Sequence, residues 1–251
     1  MTNRKQSARE ELKASSGAVN VSDSVRLKAA KVFDTLREAY GDHRWRSKGT
    51  PLDELIGTVL SQHTSNVNTA RSFETLRKRF QTWEAARGAP EEEVIDAIRS
   101  GGLARIKGPR IQTILESISE RHGRLSLDHI EGMSLEDAKR DLTSLHGVGP
   151  KTAACVLLFS LGRPAMPVDT HVHRVSRRIG LVPSKTSAEA TEPLLEELLG
   201  PDRDRVLTAH LNLIRHGQTI CVAQRPRCLS CSLQPECDYF KTSLAQDEEV
   251  S

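Results

Sequence analysis

Two stretches of the sequence carry residue types and spacings that could do chemistry. The first, "CVAQRPRCLSCSLQPEC" at 221–237, holds four of the chain's five cysteines, Cys221, Cys228, Cys231 and Cys237, in the order C-x6-C-x2-C-x5-C. Four thiolates bind either zinc or an iron–sulfur cluster. Zinc sites usually pair their ligands as two short knuckles, and only Cys228 and Cys231 form such a pair here. The second, "LHGVGPKTAACVL" at 145–157, places Lys151 just after a turn containing Gly147 and Gly149. Glycines in such a turn permit positive φ and close approach of the backbone to another molecule. Amides of the turn, leading into a helix N-terminus, bind phosphate without reading sequence. A lysine at that point can contact phosphate or, with its amine deprotonated, act as a nucleophile. Asp169, in "MPVDTHVHRV", suits a helix N-cap, and a capping carboxylate can still face a cleft. His171 and His173 stand two apart on an expected helix, so they diverge and no metal is expected there. Cys155 falls on an apolar helix face and is expected in the core.

The elements that must position these groups are helices. From Asp23 a stripe of Leu27, Ala30, Phe33 and Leu36, with Ala29 and Val32, repeats at helical spacing. Thr50 and Pro51 read as N-cap and first residue of "PLDELIGTVLSQ". Further helices are expected over 64–80, 90–99, 110–122, 134–145, 151–161, 170–179, 187–199 and 204–217, punctuated by glycine and proline. Ser134 and Asp137 form a capping pair, and Pro150 suits a first helical turn. No period-2 segment reads as a strand, so the fold class is all-α, with about ten short helices. Residues 1–22 and the acidic stretch 241–251 read as flexible tails.

Bulk properties exclude little. The formal charge of +3 is compatible with nucleic-acid binding without indicating it. The longest apolar run, around Ala153 to Leu161, is far short of the roughly 18 residues that span a bilayer. The first twenty residues have no apolar signal region, so a cytoplasmic location is expected. In a reducing compartment, clustered cysteines are metal ligands more often than disulfides.

Taken together, "LHGVGPKTA", "VDTH" and the cysteine run, in that order and at those separations, resemble the endonuclease III family of helix-hairpin-helix DNA glycosylases over residues of about 28–240. The resemblance implies a two-lobed fold. A helical lobe (44–163) contains the helix-hairpin-helix at about 134–161. A second lobe (23–43 plus 164–240) carries a [4Fe-4S] cluster on the four cysteines. It also implies a monomer holding double-stranded DNA, with a damaged base or an abasic site, across the cleft. Lys151 would attack C1′ of the damaged nucleotide, and Asp169 would stabilise the charge on the sugar. The outcome would be a bifunctional glycosylase and abasic-site lyase, of the kind that removes oxidised pyrimidines such as thymine glycol. Gly147, Gly149 and Thr152 at the hairpin, and Arg225 and Arg227 in the cysteine loop, would contact DNA. Gln62 or His63 would fill the hole left by the extruded base and Leu103 would wedge the duplex. The chain departs from the family in these loops: "SQHTSN" stands for the usual "SAQATD", Asn66 carries no acid, and "LARIKGPR" lacks the Tyr and Asn expected after the leucine. These departures bear on the lesion rather than on the reaction. Three competing readings are a monofunctional adenine or mismatch glycosylase, a binding-only relative and a zinc-stapled regulator. Lys151 argues against the first, and Lys151 and Asp169 together argue against the second.

Overall fold

The computed structural model describes residues 21–47 and 49–242. Of the expected tails, 1–20 and 243–251 lie outside the described residues. Residues 241 and 242 continue a short helix that starts after Cys237. The described residues contain no strand, and none of their helices is long and apolar enough to cross a membrane.

Among the described residues, eleven α-helices precede that short one: α1 (Asp23–Tyr40), α2 (Pro51–Ser61), α3 (Asn66–Arg79), α4 (Trp83–Gly88), α5 (Glu91–Ala97), α6 (Ala104–His122), α7 (Leu135–Thr143), α8 (Pro150–Cys155), α9 (Thr170–Ile179), α10 (Ala188–Leu199) and α11 (Arg203–Thr219). Local chemistry sets most starts. Thr50 and Asp53 cap α2 reciprocally, with Pro51 at its first position. Ser134 accepts the Asp137 amide at 3.1 Å to open α7. Helix α8 widens into a π-turn at Val156–Ser160, where a continuous α-helix was expected. Helix α4 was not foreseen; Thr82 caps it by accepting the Ala85 amide at 3.2 Å. Helix α6 begins at Ala104 rather than at 110. The amides of Ile106 and Lys107 both reach the Leu103 carbonyl at 2.9 Å, and Pro109 lies inside the helix, where it has no amide to give the Arg105 carbonyl.

Apolar side chains form two cores. One gathers α2 to α8 around Leu55, Ile56, Val59, Ile111, Ile114 and Leu115. The other joins α1 to α9, α10 and α11 around Val32, Leu36, Val172, Val175 and Leu213. Helix α1 buries Ala29, Val32, Phe33 and Leu36, but Leu27 is 68% exposed and Ala30 faces solvent, so its apolar stripe is rotated from the expected one. Lys139 of α7 bridges the cores, reaching Glu192 at 2.8 Å and Glu196 at 2.7 Å on α10.

Candidate active site

A cleft of about 670 Å³ opens between the two cores, lined from one side by α2, α3 and α8 and from the other by α9 and α11. Lys151 and Asp169 both line it. Pro150 takes the first position of α8, which puts Lys151 in the first helical turn. Its side chain is exposed and makes no hydrogen bond or ion pair among the described residues. Asp169 caps α9: Oδ1 accepts the Val172 amide at 2.8 Å, leaving the second carboxylate oxygen for the cleft. The two expected catalytic groups thus reach one cavity from opposite lobes.

Two neighbours complete the electrostatics of the cleft. Burial pushes the Cys155 thiol up to about 12, against the pull of Lys151, so it is an inert wall of the cleft. His210 on α11 is 4% exposed, and its Nδ1 lies 2.9 Å from the Pro167 carbonyl. A carbonyl only accepts, so Nδ1 carries the proton and Nε2 keeps a lone pair. Burial pushes this ring down to about 4, although Asp169 favours its charged form. His210 is therefore neutral at physiological pH. Nothing in "TAHLNLIRHG" marks it as a cleft residue.

The hairpin joins α7 to α8. Gly147 has φ of 79°, a conformation that favours glycine, and a Cβ there would stand 2.6 Å from Cδ of Arg110 and displace that side chain. Gly149 is exposed but extended, with φ of −93°, so it does not use the freedom expected of it. Its role is to precede α8 as an open N-cap. Thr152, expected at the DNA surface, is only 4% exposed. Its hydroxyl lies 3.5 Å from the amide nitrogen of Gln62, so the side chain ties the hairpin to the α2–α3 loop instead.

Among the described residues, three other than glycine have positive φ: His63 (53°), Leu103 (54°) and Arg225 (51°). All three are residues expected to touch DNA. Such conformations cost about 1–3 kcal/mol each, and for a bulky leucine the left-handed region is a true outlier. Leu103 is 49% exposed and His63 is exposed at the tip of its loop. Gln62 is not free in this way, since its Oε1 accepts from Arg110 at 2.9 Å. Geometry therefore separates two residues that the sequence left as alternatives: His63 projects, Gln62 is braced.

Cys221, Cys228, Cys231 and Cys237 line one small cavity beneath the ends of α9 and α11. The Cys231 sulfur receives the Leu233 amide at 3.4 Å and lies 3.5 Å from Nε2 of His216; Arg178 donates to the Cys221 sulfur at 3.5 Å. Donors aimed at sulfur suit thiolates that carry charge. Burial nevertheless pushes the free thiols of Cys228, Cys231 and Cys237 up, a cost that a bound cation would offset. The four sulfurs do not gather within 4.8 Å of one another, as ligands on a single ion would. Arg225 and Arg227, both exposed, stand between the first two cysteines, and their guanidinium groups make no hydrogen bond or ion pair among the described residues.

A helical hairpin, a cleft lysine and a capping aspartate define a class of protein, and comparison with known sequences agrees. Residues 56–201 match the HhH-GPD superfamily of base excision DNA repair proteins, to which this chain belongs. Within it the chain is endonuclease III-like: it is 36% identical to endonuclease III of Thermotoga maritima over 76% of the chain and 84% of that protein. A protein of Arabidopsis thaliana named only provisionally as a DNA glycosylase is 39% identical over 56% of the chain, but the match spans 48% of its length. Among solved structures, a trapped covalent complex of endonuclease III with DNA superposes with a TM-score of 0.74 at 29% identity, covering 87% of the chain and 98% of that one.

Proposed function

We propose that this glycosylase is bifunctional: it removes oxidised pyrimidines of the thymine glycol type from double-stranded DNA and then cleaves the abasic site, acting as a monomer in the cytoplasm. The observation that carries this reading is Lys151, an unpartnered lysine in the first turn after the hairpin, sharing its cleft with Asp169. The hairpin amides and the N-terminus of α8 hold the backbone phosphates beside the extruded nucleotide. The Lys151 amine, once deprotonated, attacks C1′ as the glycosidic bond breaks, and the base leaves with the bonding pair and a proton. The sugar ring opens to a Schiff base. Loss of the C2′ proton then expels the 3′ phosphate by β-elimination. The free carboxylate oxygen of Asp169 stabilises the positive charge that develops on the sugar.

The four cysteines fit a [4Fe-4S] cluster. Four sulfurs facing one cavity, set wider than a single ion requires, suit a cage around a cube of iron and sulfide. When bound, the cluster would anchor the 221–237 loop and so present Arg225 and Arg227 to phosphate.

Borohydride trapping tests the reading directly. Wild type should give a covalent band on duplexes carrying thymine glycol or an abasic site. Lys151→Gln should lose the band and slow cleavage on the order of 10³-fold or more while still binding DNA. A wild type that binds but never traps would point to a monofunctional enzyme.

A further inference from the structure

The loops that carry the strained His63 and Leu103 are joined by one buried ammonium. Lys107 of α6 is 2% exposed and forms no ion pair among the described residues. Its Nζ donates to the Leu60 carbonyl at 2.7 Å, to Oγ1 of Thr64 at 2.6 Å and, more weakly, to the Gly101 carbonyl at 3.4 Å. An ammonium has three protons, and these three acceptors account for all of them. Leu60 lies in the last turn of α2, where carbonyls lack helical partners and a cation is favoured. Thr64 in turn donates to the Gly101 carbonyl at 2.5 Å, closing the loop-to-loop link. Segments 60–64 and 101–103 are far apart in sequence, and this nitrogen, together with the Thr64 hydroxyl, joins them next to His63 and Leu103 in the chain.

One turn along α6, Arg110 adds a second brace. It holds Oε1 of Gln62 at 2.9 Å, and its aliphatic stem packs against Gly147 of the hairpin. The start of α6 therefore fixes both tips against each other and against the hairpin. Burying a lysine without a carboxylate is costly, and a methionine would fill the same volume without that cost. What the lysine adds is the set of bonds to two loops.

We propose that Lys107 is a positioning residue for duplex DNA: it sets the spacing of the His63 and Leu103 tips so that both enter the helix around the extruded nucleotide. This rests on the glycosylase reading of the cleft. Its consequence is selective, because a substrate already single-stranded needs no wedge. Duplex processing depends on Lys107, and single-strand processing does not.

The test compares wild type, Lys107→Met, Thr64→Val, Leu103→Ala and the Lys107→Met/Leu103→Ala double variant. Single-turnover cleavage is measured on an abasic site in duplex and in single-stranded DNA. Fluorescence of 2-aminopurine opposite a non-cleavable abasic analogue reports unstacking without chemistry. Lys107→Met should slow duplex cleavage about 10- to 100-fold, the scale of an ångström of misplacement. It should leave the single-strand rate near wild type and lower the 2-aminopurine signal. Thr64→Val should shift the same readouts in the same direction by less. The double variant should be no slower on duplex than Lys107→Met alone, since both act on one wedge. Equal losses on duplex and single strand, additive losses in the double variant, or no loss would each overturn the proposal. If Lys107→Met fails to fold, Thr64→Val decides by the same contrast. If wild type cleaves neither substrate, the glycosylase reading fails, and the 2-aminopurine signal still decides the clamp.

Discussion

The two lobes close in different ways. The first is sealed by aliphatic side chains: Leu55, Ile56, Val59, Ile111, Ile114 and Leu115 are all fully buried, each contributing about 1.5–3 kcal/mol by leaving water. The second begins in the same manner with α1, α9 and α11 but ends in the 221–237 loop, which has two short 3-10 turns and no α-helix. Within that loop only Leu233 and Cys237 are buried, and Leu229 is 90% exposed. Its rim is tied by Arg178 to the carbonyls of Val222 and Ala223 at 2.7 and 2.9 Å and by Lys28 to Asp238 at 2.5 Å. Apolar burial explains the order of the first lobe. It does not explain the order of this loop, where on the cluster reading proposed above the four cysteines would supply the rest.

The sharpest way to break that contrast is Cys231→Ser. With a cluster in place, the substitution should abolish visible absorbance and cost stability on the scale of losing a structural metal. Hydrogen exchange should show protection lost across 221–240 while amides of α2 and α6 keep theirs. A loop that stays protected in Cys231→Ser would mean that the rim bonds suffice, and the contrast between the lobes would collapse.

A second contrast is between two buried nitrogens. Lys107 of the first lobe meets three oxygen acceptors, whereas His210 of the second meets one carbonyl and is held neutral. The folded state binds the His210 proton only near pH 4, against an ordinary value of 6.5. Between those values the unfolded chain takes up a proton that the folded chain refuses. Stability from this group is therefore complete above about pH 6.5 and is lost as pH falls towards 4, by about 3 kcal/mol at most. Denaturation midpoints measured from pH 7 to 4 should fall less steeply in His210→Gln than in wild type. An unchanged slope would show that the ring is not buried as a neutral group.

What the sequence reveals follows from how local each signal is. Periodicity and capping residues place most helices because the forces involved act within a few residues: Thr50 with Asp53, and Ser134 with Asp137, are read directly. Lys151 and Asp169 are legible because a hairpin turn and an N-cap have sequence signatures of their own. The early start of α6 is hidden by Gly101, Gly102 and Pro109, which suggest a break that the Leu103 carbonyl in fact bridges. Lys107 and His210 are illegible for a different reason. Their shorter hydrogen bonds go to Leu60, Thr64 and Pro167, 43 to 47 residues away, and no local pattern distinguishes a buried lysine or histidine from a solvated one. The left-handed backbone at His63, Leu103 and Arg225 likewise runs against local preference, so the residue types there do not announce it.

Arg225 and Leu103 share that strained backbone but belong to different lobes, and DNA should distinguish their roles. Arg225 and Arg227 offer unpaired side-chain charge within the 221–237 loop, and on the reading proposed above they would act by displacing counterions from phosphate. Replacing either with alanine should weaken binding modestly at low salt and lower the slope of log affinity against log salt by about 0.9, the mark of one lost phosphate contact. The single-turnover rate at saturating enzyme should not change, because neither residue lines the cleft. Leu103→Ala should do the reverse, leaving the salt slope alone while reducing distortion of the duplex and hence the rate. If Arg225→Ala slowed saturated turnover, the cysteine loop would be shaping the nucleotide's approach as well as holding its backbone, and the division of labour between the lobes would have to be redrawn.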